Sequence, residues 1–163
     1  MRATPLNHIG LSVGDIDAAI DFYTQVFGFR LFTGPILLDA ATNRSGQLNN
    51  LFGPEFKQLK IAHLSTGNGP GLEIFQPIDP PFEPAADPVP YRRAGTTHIC
   101  VTDPDIEALC AAIEAKGGKQ LSKIWNDREP HEQFKMVYCQ DPWGTLVEIH
   151  THDYLWVQGW RQP

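Results

Sequence analysis

"NHIGLSVGDIDAAIDFYTQVFG" (Asn7 to Gly28) and "THICVTDPDIEALCAAIEAKGG" (Thr97 to Gly118) are one opening written twice. A shift of 90 positions lays His8 on His98, Ile9 on Ile99, Asp15 on Asp105, Ile16 on Ile106, Ala18 on Ala108 and Gly28 on Gly118. Each copy begins as an alternating strand. Ile9, Leu11 and Val13 point one way while His8, Gly10 and Ser12 point the other, and Ile99 and Val101 oppose His98, Cys100 and Thr102. Each histidine therefore leaves its strand on the face away from the aliphatic residues.

A helix follows in both copies. In the second, Asp103 is expected to cap the N-terminus with Pro104 at the first helical position, and Lys116-Gly117-Gly118 to end it. Its apolar stripe is Ile106, Leu109, Cys110 and Ile113, spaced three and four apart. The first helix turns Ile16, Ala19, Ile20, Tyr23 and Phe27 inward and closes at Gly28. Each helix is expected to cover the aliphatic face of its sheet.

A second echo lies further on. "GLEIF" (Gly71 to Phe75) matches "LVEIH" (Leu146 to His150), with Glu73 on Glu148 and aliphatics on both sides. This echo is offset by 75, so the first half holds 90 − 75 = 15 extra residues. They are expected within 34–56, where "ATNRSGQLNN" interrupts the strand pattern with turn residues. Between the halves, "PIDPPFEPAADPVP" (Pro77 to Pro90) is six prolines in fourteen residues, an extended linker. The chain thus divides into a module at about 5–76, a Pro-rich linker at 77–94, a second module at about 95–151 and a short tail at 152–163. Neither half is large enough to be comfortable alone, so the 163 residues are expected to pack as a single domain.

Composition excludes several classes of function. Hydrophobic residues make up 42% and charged residues 20%, as in ordinary globular proteins, with a net charge of −6. An acidic chain without a lysine or arginine cluster does not suit nucleic acid. No apolar run approaches the roughly 20 residues that span a bilayer, and the N-terminus lacks the apolar core of a signal peptide. Cys100, Cys110 and Cys139 form no CxxC pair and read as small buried residues in a reducing compartment. The expectation is a soluble cytoplasmic protein whose partner is a small-molecule substrate.

Two histidines on first strands and two glutamates on last strands are the residues the repeat singles out: His8, Glu73, His98 and Glu148. A lone strand histidine is usually a satisfied polar residue, and a lone glutamate between aliphatics usually faces solvent. Here each histidine has a repeat-equivalent glutamate downstream. If the sheets curve, each half can present both to one concavity, and a pseudo-twofold would bring the four together. Two neutral imidazoles and two carboxylates suit one divalent ion, with Zn, Ni, Co, Mn or Fe all acceptable, and octahedral coordination would leave two positions for vicinal oxygens. His63, His131, His150 and His152 lack repeat support. His150 shares the Glu148 face and lines a pocket or ends as a polar rim residue. Tyr138 either reaches that face or is a core tyrosine with a bonded hydroxyl. "QDPWG" (Gln140 to Gly144) reads as the hairpin turn before the last strand.

From Leu6 to His150 the chain resembles the vicinal oxygen chelate superfamily, which includes glyoxalase I, methylmalonyl-CoA epimerase, extradiol dioxygenases, and fosfomycin- and bleomycin-resistance proteins. "NHIGLSVGDIDAAIDFYTQVFGF" and "DPWGTLVEIH" carry the likeness. It implies an α+β fold of two tandem βαβββ modules, forming a cupped mixed sheet around a central metal site. His, Glu, His, Glu in chain order is similar to the bacterial type of glyoxalase I, and "IFQPIDPP" after Glu73 differs from the glutathione-binding region of typical glyoxalases. The resemblance implies a metal-dependent lyase or isomerase in which Glu148, or failing it Glu73, takes a proton from carbon beside a metal-polarised carbonyl. It also implies a homodimer, as relatives often pair. An Fe(II) extradiol-type dioxygenase and a metal-free, bleomycin-resistance-like binding protein are the alternatives.

Overall fold

The computed structural model describes residues 2–42, 46–92, 94–126 and 133–159, in two compact units, Met1–Pro84 and Ala85–Pro163. The first unit runs β1 (His8–Ser12), α1 (Ile16–Phe27), β2 (Arg30–Asp39), α2 (Gln47–Phe52), β3 (Gln58–Ser65) and β4 (Gly71–Asp79). The second runs β5 (Ile99–Thr102), α3 (Ile106–Ala115), β6 (Lys119–Gln120), β7 (Met136–Gln140), β8 (Leu146–His150) and α4 (Tyr154–Gly159). Each builds a four-stranded mixed sheet, in the orders β1-β4-β3-β2 and β5-β8-β7-β6. In both, first and last strands are parallel and the other pairs antiparallel. The architecture is α+β with the βαβββ order repeated, α2 being an addition in the first copy.

Alternation sorts each sheet into two faces. On one face of the first sheet, Ala62, Leu64, Leu72 and Ile74 are buried, as are Ile16, Ala19, Phe22 and Tyr23 of α1. Asp15 caps α1 by accepting from the Asp17 and Ala18 amides, and Gly28 ends it with φ 67°. Phe22, rather than Ile20 or Phe27, completes the buried stripe, because Phe22 and Tyr23 meet edge to face with centroids 5.3 Å apart. On the opposite face, Phe56, Leu59 and Ile61 form a second cluster with Leu38, Ala40, Leu48 and Phe75. Leu48 is supplied by α2, so the 15-residue excess forms a short helix over that apolar patch.

The second unit repeats this with Ile106, Leu109, Cys110 and Ile113 buried on α3, the expected stripe. Its cap differs from the expectation. Asp105, not Asp103, caps α3 by accepting from the Ala108 amide. The Asp103 amide instead donates to the His150 carbonyl, continuing the β5–β8 ladder, so the helix starts two residues later. Pro104 accordingly precedes α3. The linker also starts later than expected, since β4 runs on to Asp79. Pro77 is tolerated there because β1 ends opposite Phe75 and no strand on that side asks for its missing N–H. Within the tail, α4 buries Val157, and Trp156 stacks on His152 at 4.2 Å. Among the described residues no helix is long and apolar enough to cross a membrane.

β2 bulges at Gly34, where φ is 104° and a Cβ would stand 2.6 Å from the Ile61 carbonyl oxygen. Gly34→Ala is expected to cost about 1–3 kcal/mol, from a strained backbone and a clash that only backbone movement relieves. Gly28→Ala, where nothing lies within 4 Å, carries the backbone part alone and should cost less. Thermal unfolding midpoints of the two variants check this, and equal shifts would contradict it.

Candidate metal centre

In the first unit the parallel register sets His8 beside Gly71 and Gly10 beside Glu73, so the His8 and Glu73 side chains share a face. His8 Nε2 lies 3.6 Å from Glu73 Oε2. From the other side, β3 places His63 directly opposite Glu73, with Nδ1 3.4 Å from Oε1. Phe32 packs against the His63 ring at 6.0 Å, and these residues line a cleft of about 280 Å³. The Asn7 side-chain oxygen lies 2.7 Å from His8 Nδ1. An amide oxygen can only accept, so Nδ1 is the donor to Asn7 and Nε2 is the nitrogen that faces the carboxylate.

The second unit has the corresponding arrangement, more deeply buried. His98 Nε2 is 3.1 Å from Glu148 Oε2, and the Thr97 hydroxyl contacts His98 Nδ1 at 2.9 Å. Tyr138, opposite Glu148 on β7, donates its hydroxyl to Oε1 at 2.8 Å. His150, two residues along β8, places Nε2 3.1 Å from the same oxygen, off the line a hydrogen bond requires. Cys100 neighbours Glu148 across the β5–β8 ladder. Glu148 is 8% exposed. Burial pushes its carboxyl up, but the contacts from His150 and Tyr138 and the charges of His150 and His98 more than offset this, holding it down to about 2.

This donor set fits a divalent ion. In each unit a histidine nitrogen faces a carboxylate oxygen with its other nitrogen held by the preceding residue, Asn7 or Thr97, as ligating imidazoles are held. At 3.1–3.6 Å, two facing lone pairs repel unless a proton or a cation lies between them. A depressed Glu148 also presents the ionised form that metals take.

A profile of the Glyoxalase/Bleomycin resistance protein/Dioxygenase superfamily matches residues 5–149. The chain belongs to that superfamily. Among its relatives, the lactoylglutathione lyase of Pseudomonas putida is 30% identical, with 88% of this chain and 82% of the relative covered. The lactoylglutathione lyase of Schizosaccharomyces pombe is 28% identical over 91% of this chain, which spans 48% of that longer protein. A glyoxalase family protein from Bacillus cereus shares the fold, with a TM-score of 0.72 at 17% identity over 92% of this chain and 95% of its own.

The structure thus brings His8 to Glu73 and His98 to Glu148 within their own units. It adds His63, Tyr138, His150 and Cys100, which repeat logic had not selected. One signal was present in the sequence: the offset of 75 that maps Glu73 onto Glu148 also maps His63 onto Tyr138. His150 is 4% exposed, a buried residue rather than a rim one. His152 stacks on Trp156 away from the carboxylate, and His131 lies outside the described residues.

Glu148 contributes stability that is fully present above its ordinary value of 4.5 and lost as pH falls toward about 2. Tyr138→Phe removes one bond that lowers this carboxyl. Its titration midpoint, followed by carbon NMR of labelled glutamate, should rise by about one unit, the equivalent of about 1.5 kcal/mol for a bond to a charged group. An unchanged midpoint would remove Tyr138 from the site.

Proposed function

We propose that this chain is a divalent-metal-dependent lyase or isomerase of the glyoxalase type, acting on a small substrate with oxygens on neighbouring carbons. The carrying observation is the repeat-equivalent pairing of an imidazole nitrogen with a carboxylate oxygen, in which each histidine is oriented by its preceding residue. In this reading His8, Glu73, His98 and Glu148 are the ligand set, and the two units act together as one domain. Superfamily membership and relatives named as lyases support it.

A bound ion would supply Lewis-acid polarisation of a substrate carbonyl and offset charge on its oxygens. The chain's own work is proton transfer. Glu148 accepts the proton from the carbon beside the carbonyl and returns it, to the adjacent carbon in an isomerisation or to the opposite face in an epimerisation. The contacts that lower its carboxyl keep Glu148 ionised, the form able to accept that proton. Tyr138 and His150 hold the carboxylate in place while it does so. Glu73 is the second choice for this role.

The substrate's remote part is read from a cavity of about 440 Å³ lined by Gly10, Phe52, Phe56, Phe75 and Pro77 among others. Phe75 lies two residues from Glu73 on the same strand face, and Phe52 belongs to α2. Among the described residues no lysine or arginine lines this cavity or the cleft beside Glu73. An apolar substrate arm suits these walls better than the carboxylates of glutathione.

Elemental analysis of untagged protein tests the reading, with about one equivalent of divalent ion expected and lost in the His8→Ala, His98→Ala double variant. Glu148→Gln should lower kcat on α-oxoaldehyde–thiol adducts by two or more orders of magnitude. Full activity in that variant would overturn the base assignment. Protein that takes up no metal on reconstitution would overturn the enzyme, and iron with strictly oxygen-dependent turnover would replace it with a dioxygenase. The same reading places the protein as a cytoplasmic homodimer, and a monomer mass by light scattering would remove that part.

A further inference from the structure

Glu148 has more ligand-capable neighbours than a four-residue set uses. The Cys100 sulfur, a Glu148 oxygen and a His150 nitrogen all lie within 4.8 Å of one another. His150 Nε2 is buried and, among the described residues, has no hydrogen-bond partner. It stands 3.1 Å from Glu148 Oε1, off the line of a hydrogen bond, in a ring that is 4% exposed. Phe134 packs edge to face against that ring at 5.2 Å. A buried ring nitrogen without a partner is costly, and a cation at this point would satisfy it.

We propose that Cys100, Glu148 and His150 form a second, thiophilic metal site that takes Zn²⁺ or Co²⁺ and draws on no residue of the first unit. Ligands at zinc–sulfur and zinc–nitrogen bond lengths stand about 3.5 Å apart, so from separations within 4.8 Å a closure of up to about 1.3 Å assembles the three, with solvent completing the shell. The sulfur is what selects: thiolate favours zinc and cobalt over manganese or magnesium. Cys100 is exposed, unlike the buried Cys110 and Cys139, so the proton its thiol gives up on binding an ion leaves directly to solvent. The trio belongs to the second repeat alone. Gly10 and Phe75 occupy the equivalent places in the first, by the offsets of 90 and 75.

This site rests on the Proposed function in one respect only. If Glu148 is the base, a thiophilic ion here withdraws it, and zinc beyond one equivalent inhibits. The site itself is tested separately, by titrating Co²⁺ into the full chain and into His8→Ala, Glu73→Gln protein, where the four-residue set is broken. A sulfur-to-cobalt charge-transfer band in the near ultraviolet is expected in both, saturating at one equivalent in the double variant. Cys100→Ser should abolish it while leaving the visible cobalt bands of the other site. His150→Ala should weaken cobalt binding in the double variant at least tenfold, and His152→Ala should not. Visible bands with no charge-transfer band would overturn the trio and leave the four-residue set standing. A charge-transfer band that survives Cys100→Ser would assign the sulfur to Cys110 or Cys139 and likewise overturn it. No cobalt binding at all would overturn both.

Discussion

In each repeat the first strand is left without an antiparallel partner from its own neighbourhood. It docks in parallel against the last strand, β1 on β4 and β5 on β8. That ladder brings a histidine at the start of one strand next to a glutamate some 50 or more residues later, and the pleat turns both to the same face. The helix between them occupies the opposite face, so aliphatic burial on one side leaves the other side free for polar groups. Every candidate ligand depends on this pairing. A slip of one residue would carry Glu73 or Glu148 into the core beneath α1 or α3.

The two carboxylates then part company in their surroundings. The side chain of Glu73 is 20% exposed and is approached by His8 and His63 at 3.4–3.6 Å. That of Glu148 is 11% exposed, bonded to Tyr138 and approached by His98 and His150 at 3.1 Å. Burying a carboxylate costs free energy unless donors and positive charge offset it. The second repeat supplies both, so the ionised form persists in a site that would otherwise protonate it. A substitution from His63 to Tyr138 at the equivalent register position is the change that exchanges a possible ligand for a hydrogen-bond donor.

The additional segment of the first repeat has a definite physical role. α2 is six residues long and could not hold its shape alone. It does so by placing Leu48 against Leu59, Ile61 and Phe56, with the Asn49 side-chain amide donating to the Phe56 carbonyl. The result is an apolar wall on the sheet face that carries Glu73. One repeat is thereby given a large apolar cavity, while the other has Cys100 and His150 in the equivalent places.

The duplicated opening, the two histidines, the two glutamates and the placement of the excess segment were all legible in the residues. Periodicity and offset are properties of a line of letters, and local backbone chemistry converts them into strands and helices. The stripe on α3 was read without error because burial there follows a period of 3.6 residues. The cap of α3 was not, since Asp103 is held by a hydrogen bond to His150, 47 residues away. The roles of His63, Tyr138, Cys100 and His150 were likewise decided by register between strands distant in sequence. By itself the sequence determined that this protein is a tandem repeat with a histidine and a glutamate in each copy. Only the tertiary structure decided which neighbours surround each glutamate, because cross-strand pairing and burial set the field in which a carboxylate becomes a ligand or a base.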